Sequence, residues 1–273
     1  SGTHFFADAD PYQLGWKSLA VNLSDMAAMG ANPKWATLAI ALPDVNQLWL
    51  TEFSRGFFAC ADMFKVDLIG GDTTRGPLTI SVQIMGEAPT GMAIKRSGAE
   101  VGEEIWVSGQ LGDAALALAH MQGHLTLAAD AFTHCAERLH RPQPRVALGL
   151  ALRGIANSAI DISDGLLADL GHILNQSNLG ASIYLANIPH SEYLNIQSTA
   201  ALYEQKLSML LAGGDDYELC FTAPKINREK IENLSAELAI PLTRIGEIFS
   251  GEGLIVKDAK GSEITLETKG YDH

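Results

Sequence analysis

Apolar positions along the chain change rhythm several times, and each change marks an element. From Asp10-Pro11 onward, Leu14, Leu19, Leu23, Met26 and Ala27 fall at roughly helical spacing, and Gly30 closes the run. Asp followed by Pro is a good helix start, because Asp caps and Pro fits the first turn. Residues 35–42 form a compact apolar run ended by Pro43, which predicts a buried strand. Residues 45–64 predict a long helix. Residues 66–69 predict a short buried strand that empties into Gly70-Gly71-Asp72, and 78–86 alternate as a strand does. Residues 95–102 have loop composition. Beyond them the pattern predicts strands at 104–108, 159–162, 181–185, 217–222, 242–249 and 253–257. Helices are expected at 112–121, 132–139, 145–156, 165–176, 200–211 and 227–238. Strands and helices mixed in this way argue for an α+β or α/β fold and against a sandwich or a bundle. The loop composition after 86 predicts two domains, 1–90 and 91–273.

Composition narrows the partners. The 273 residues are 47% apolar, enough for sizeable cores, and carry a formal net charge of −13. Such a surface repels nucleic acid and anionic membranes, so neither is expected as a partner. A phosphate substrate would meet the same repulsion, and bound cations would remove it. Cys60, Cys135 and Cys220 are scattered, odd in number and without CxxC spacing, which fits reduced thiols in the cytoplasm. No apolar run reaches the length of a membrane span, and the start has no signal-peptide pattern.

Candidate chemistry is concentrated in three acidic, glycine-containing clusters: Asp161-Ile162-Ser163-Asp164-Gly165, Gly70-Gly71-Asp72-Thr73-Thr74-Arg75 and Gly213-Gly214-Asp215-Asp216-Tyr217-Glu218. Asp is a poor strand former, so strand ends and turns are expected there. Crowded carboxylates repel one another unless a divalent cation joins them, which points to a magnesium site that holds nucleotide phosphates. Each cluster also has a plainer reading. Ser163 or Asp164 would serve as an ordinary helix cap, the Gly70 cluster as a tight turn, and the Gly213 cluster as a solvated loop. Asn22 and Asp25 sit in a mainly apolar helix and face either solvent or a site. Lys95-Arg96-Ser97-Gly98 brings rare positive charge, suited to a phosphate clamp or to a surface linker. His120 and His124 are four apart, but no third ligand is evident, and a surface pair is the better reading. There is no GxxxxGK[ST] loop. Ser24-Asp25 followed by Gly-Gly-Asp at 70–72 is echoed by Ser163-Asp164 followed by Gly-Gly-Asp at 213–215. The echo reads either as two related halves or as a coincidence of short motifs.

Taken together, KSLAVNLSDMAAMGA at 17–31, LIGGDTTRGP at 68–77, KRSG at 95–98, NSAIDISDGL at 157–166, LAGGDDYELCF at 211–221 and KGYDH at 269–273 resemble the thiamine-monophosphate kinases of the aminoimidazole-ribonucleotide-synthetase-like superfamily. The resemblance covers essentially the whole chain. It implies the two-domain fold of that superfamily, several Mg²⁺ ions, ATP as co-substrate, thiamine monophosphate as acceptor, and a homodimer formed through the N-terminal domain. It implies that Asp25, Asp72, Asp161 and Asp164 hold metal. It places Gly71, Asp72, Arg96 and Ser163 at the nucleotide, and His4, Asp215 and Tyr271 at the acceptor. Many relatives carry Glu where this chain has Asp215. Relatives also carry a further N-terminal segment with a Gly-Asp-Asp and a Ser-Thr-Asp motif of the magnesium set, which these 273 residues do not contain. No general base or covalent nucleophile is implied, and direct in-line transfer is expected. Two competing readings stay open. One is another ATP-using synthetase of the superfamily, although the reactive cysteine typical of one such enzyme has no counterpart near the start here. The other is a nucleotide-binding module inactive without the N-terminal metal motifs.

Overall fold

The computed structural model describes residue 2 and residues 4–194 and 200–264. Helix α1 (Pro11–Ala28) starts where the sequence predicts: the Asp10 carboxylate accepts the Gln13 N–H at 2.9 Å, and Pro11 occupies the first turn. Strand β1 (Asn32–Leu42) follows, then helix α2 (Gln47–Phe64), capped by the Asn46 side chain. Strands β2 (Asp67–Arg75) and β3 (Thr79–Glu87) complete a three-stranded sheet in the order β2-β1-β3. β1 runs parallel to β2, across the α2 crossover, and antiparallel to β3. Strand alternation sends Ala36, Ile40 and Leu42 into the core and leaves Trp35 and Ala39 exposed. The α1–α2 contact is tight, since a Cβ at Gly56 would overlap the Tyr12 carbonyl.

One sequence expectation fails here. Gly70-Gly71-Asp72 does not follow the strand but lies inside β2, with Gly71 opposite Leu38 and Asp72 opposite Ala39. β2 is the outer edge of its sheet and is almost wholly exposed. Poor strand formers cost little where no side chain has to pack.

The second sheet has seven strands: β4 (Glu104–Ser108), β5 (Ser158–Asp161), β6 (Gly180–Tyr184), β7 (Leu219–Ala223), β8 (Leu242–Phe249), β9 (Gly253–Lys257) and the short β10 (Glu263–Ile264). Their order is β10-β9-β6-β8-β4-β7-β5, antiparallel except for β6 with β9. The helices are α3 (Asp113–Met121), α4 (Ala129–His140), α5 (Val146–Ala151), α6 (Leu166–Ser177), α7 (Ala200–Ala212) and α8 (Arg228–Leu238). α5 is shorter than the apolar pattern suggests, because the chain turns at Gly154 (φ 71°).

The interior strand β4 is buried throughout, and its period-2 alternation builds two core layers. Ile105 and Val107 join Leu116, Leu170 and Leu210 of α3, α6 and α7. Trp106 points the other way and stacks on Phe221 at 6.5 Å, in a layer with Leu19 and Leu23 of α1, Leu148 of α5 and Ile231 of α8. Each sheet lies wholly on one side of residues 88–94, yet α1 packs into the core of both. That double packing makes α1 the element around which the site is built. The three cysteines are free and buried, and burial pushes the Cys60 and Cys135 thiols up to about 12. Among the described residues no helix is long and apolar enough to cross a membrane.

Candidate active site

A cavity of about 690 Å³ opens between the two sheets. One face of α1 forms its floor, with Leu14, Lys17, Ser18, Val21, Asn22 and Asp25 at the i, i+3/i+4 spacing of a single helical stripe. Ile80 and Val82 of β3 form one wall, and α3 another. The remaining lining comes from the loop after β5 and the loop before β7. Of the residues singled out from the sequence, His4, Asp25, Asp161, Ser163, Asp164 and Asp215 line this one cavity.

The others stand apart. Arg96 sits in a short 3₁₀ turn (Arg96–Gly98), does not line the cavity, and is near enough to Asp25 for its charge to favour the ionised carboxylate. Gly71 and Asp72 are farther away. Asp72 is opposite Ala39, which is opposite Ser81, so it shares the exposed face of the sheet with them. The cavity touches the other face, through Ile80 and Val82, and β2 is two strands from β3, roughly 10 Å. Within this chain Asp72 therefore does not join Asp25 and Asp161. Tyr271 lies outside the described residues.

The loop after β5 has a clear local cause. Ile162 N–H bonds the Glu218 carbonyl at 2.8 Å, which extends the β5–β7 pairing by one residue. The chain then turns into α6, and the buried Asp169 reaches back from the helix. One of its oxygens accepts the N–H groups of Ser163 and Asp164 at 3.0 Å and of Gly165 at 3.2 Å. The helix cap itself, Gly165, has no side-chain bond. The capping role that the sequence offered to Ser163 or Asp164 thus belongs to Asp169, which leaves those two residues lining the cavity. Burial raises Asp169 to about 6 even with three donors. Sequence reading missed it, although an Asp inside the apolar run LLADLGHIL was a visible signal.

Asp161 is 4% exposed, and burial followed by the charge of Asp25 pushes it up to about 7. Burial also raises Asp25, against the pull of Arg96. The buried Ser24 hydroxyl faces Asp161 and favours its ionised form, although it makes no hydrogen bond of ordinary geometry. Two desolvated carboxylates and the hydroxyl beside them form a set of hard oxygen donors, which suits Mg²⁺. Among the described residues no three His, Cys, Asp or Glu side chains group as a metal cage. Magnesium bound by one or two carboxylates and completed by phosphates does not require one. His120 is no ligand: its Nδ1 accepts the Leu127 N–H at 3.0 Å, and its ring lies against Phe132.

The crowded 213–218 cluster is compensated from within the chain. Asp215 pairs with Lys17 at 2.8 Å and accepts the Tyr217 hydroxyl at 3.0 Å. Asp216 accepts the Gly112 N–H at the start of α3 at 2.9 Å. Glu218 takes a two-pronged bond from Arg145, with Nε at 2.6 Å, and the Ser108 hydroxyl at 2.5 Å. A Cβ at Gly214 would collide with the Ser163 carbonyl, so glycine is what lets the two loops meet. Removal from water, then the nearby charges of Glu218, Asp113 and Asp215, hold Asp216 well above the usual carboxylate range. The folded protein therefore keeps this proton where the unfolded chain has lost it. Stability from this group is full below the unfolded value near 3.8 and declines as pH rises. Asp216→Asn keeps an acceptor for Gly112 and is expected to stabilise at pH 8 by about 0.5–2 kcal/mol, and by less at pH 5. Urea denaturation at the two pH values checks this, and an equal effect at both would contradict it.

Comparison with known proteins bears on this geometry. Residues 1–88 match the family model described as AIR synthase related protein, N-terminal domain, and 100–259 match its C-terminal domain. A thiamine-monophosphate kinase of Escherichia coli O157:H7 is 49% identical over all of this chain and 83% of its own length. The crystal structure of thiamine-monophosphate kinase from Stenotrophomonas maltophilia K279a superposes with a TM-score of 0.89 at 46% identity, over 97% of this chain and 83% of that one. A structure of AaThiL complexed with AMPPCP and TMP superposes with a TM-score of 0.86 at 30% identity, over 100% of this chain and 84% of that one.

Proposed function

We propose that this chain, which belongs to the thiamine-monophosphate kinase family, transfers the γ-phosphoryl group of ATP to thiamine monophosphate and so makes thiamine diphosphate. The observation that carries the reading is the meeting of α1, the loop after β5 and the loop before β7 on one cavity, with Asp25, Asp161, Asp164 and Asp215 in its lining. The acceptor is itself a phosphate and is already nucleophilic at neutral pH. No base is required, so the protein's work is positioning and charge control. Asp25, Asp161 and Asp164 would hold Mg²⁺, which neutralises phosphate charge when bound. Arg96, outside the cavity lining but near Asp25, would take ATP phosphates on family resemblance, and Ser163, between Asp161 and Asp164 in sequence, would contact the nucleotide. Gly71 and Asp72 are assigned to nucleotide and metal, and Tyr271 to the acceptor, on family resemblance. His4 and Asp215, both in the cavity lining, would contact the acceptor.

We place the domain division at 1–90 and 91–273, and a second copy of the chain against the N-terminal sheet. That sheet's edge strand β2 is exposed, with Ile69 at 58%. Reduced cysteines and acidic surface fit the cytoplasm, with no nucleic acid or membrane as partner. ADP release from Mg-ATP tests the reaction. The expected result is release that needs both Mg²⁺ and thiamine monophosphate. Release that ignores thiamine monophosphate, or that answers to another acceptor, would point to a different enzyme of the superfamily.

A further inference from the structure

Lys17 is a site residue that the family resemblance does not assign. Among the described residues lining the cavity it is the lone lysine or arginine, set against four aspartates, Asp25, Asp161, Asp164 and Asp215. Its side chain is 14% exposed, so the ammonium is held in place and not left to solvent. It rests 2.8 Å from Asp215 Oδ1, the same oxygen that accepts the Tyr217 hydroxyl at 3.0 Å, and 6.0 Å from the centre of the Tyr217 ring. The Asp215 N–H bonds the Ser163 carbonyl at 2.9 Å, which puts this ammonium beside the loop that carries Asp161 and Asp164.

Two features mark the pair as more than a neutralising contact. Asp215 and Tyr217 both hold positive φ, 68° and 50°, in a region that non-glycine residues occupy at a cost, and the surrounding bonds fix them there. Asp215 is also 31% exposed, so its end of the pair faces the cavity and is open to a ligand there. An acceptor with a phosphate at one end and a cationic ring at the other presents the two groups that Lys17 and Asp215 each lack once separated. We propose that Lys17 is a substrate-binding residue that leaves Asp215 to grip the phosphate of the acceptor, freeing Asp215 for the acceptor's cationic ring. The inference rests on the thiamine monophosphate reading above.

Steady-state kinetics of Lys17→Met and Lys17→Arg test it. Lys17→Met should raise KM for thiamine monophosphate about 10–100-fold, the worth of a lost charge-assisted hydrogen bond. KM for ATP should stay within about threefold, since loss of one substrate's contact leaves the other's binding intact. Lys17→Arg, which keeps the cation, should recover most of the loss, and the thermal midpoint should move little in either variant. An unchanged KM for thiamine monophosphate, or a parallel rise in both KM values with a lower midpoint, would overturn the assignment and leave Lys17 as a structural partner of Asp215. A wild-type protein with no ADP release dependent on thiamine monophosphate would overturn the functional reading, and this inference with it.

Discussion

Asp161→Asn should lower phosphoryl transfer by about 100- to 1000-fold, the cost of removing one preorganised electrostatic group from a site of this kind. The substitution keeps shape and removes charge. Asp161 is 4% exposed, and its own burial, then the charge of Asp25, work against its ionisation. A buried carboxylate in the lining of a cavity is a group that a bound cation would stabilise. Without metal the charge is a burden, so the metal-free Asp161→Asn protein should unfold at a temperature equal to or above that of wild type. Adding Mg²⁺ should raise the midpoint of wild type more than that of the variant. Activity near wild type would remove Asp161 from the metal site. A lower midpoint in the metal-free variant would mean that the carboxylate is a structural hydrogen-bonding group.

The second large effect is on stability. Arg145→Met should destabilise by about 3–5 kcal/mol, because it strands a buried carboxylate. Glu218 is 5% exposed and relies on Arg145 for two bonds and on Ser108 for one. The Ser108 hydroxyl also accepts the Leu219 N–H at 2.9 Å, so the loss would spread into the β4–β7 pairing. Arg145→Met combined with Glu218→Gln should recover most of the stability, since no charge is then left alone. Urea denaturation of the single and double variants measures both. A loss below about 1 kcal/mol for the single variant would place the pair with ordinary surface ion pairs.

What the sequence revealed and what it hid divide along the range of the interactions. The start of α1 was legible because its cap lies within one turn, from Asp10 to Gln13. Asp161 and Asp164 were legible because a strand-to-helix junction is a local pattern. The partners of the 213–218 cluster were not, since Arg145 is 73 residues from Glu218 and Lys17 comes from α1 near the other end of the chain. From composition alone the cluster needed an external cation, whereas the fold supplies two internal ones. Asp169 was passed over because an Asp within a helix usually faces water, and only the turn before α6 shows what it holds. The place of Gly71 and Asp72 within an edge strand depends on sheet order, which no local pattern reports.

In the proposed reaction one phosphoryl group passes directly from ATP to an acceptor that already carries a phosphate. Mass spectrometry of the products after incubation with Mg²⁺, thiamine monophosphate and ATP isotopically labelled in its γ-phosphoryl group tests this most directly. The expected products are thiamine diphosphate with the label in its terminal phosphoryl group and unlabelled ADP in equal amount. Label released as inorganic phosphate, or AMP in place of ADP, would contradict it.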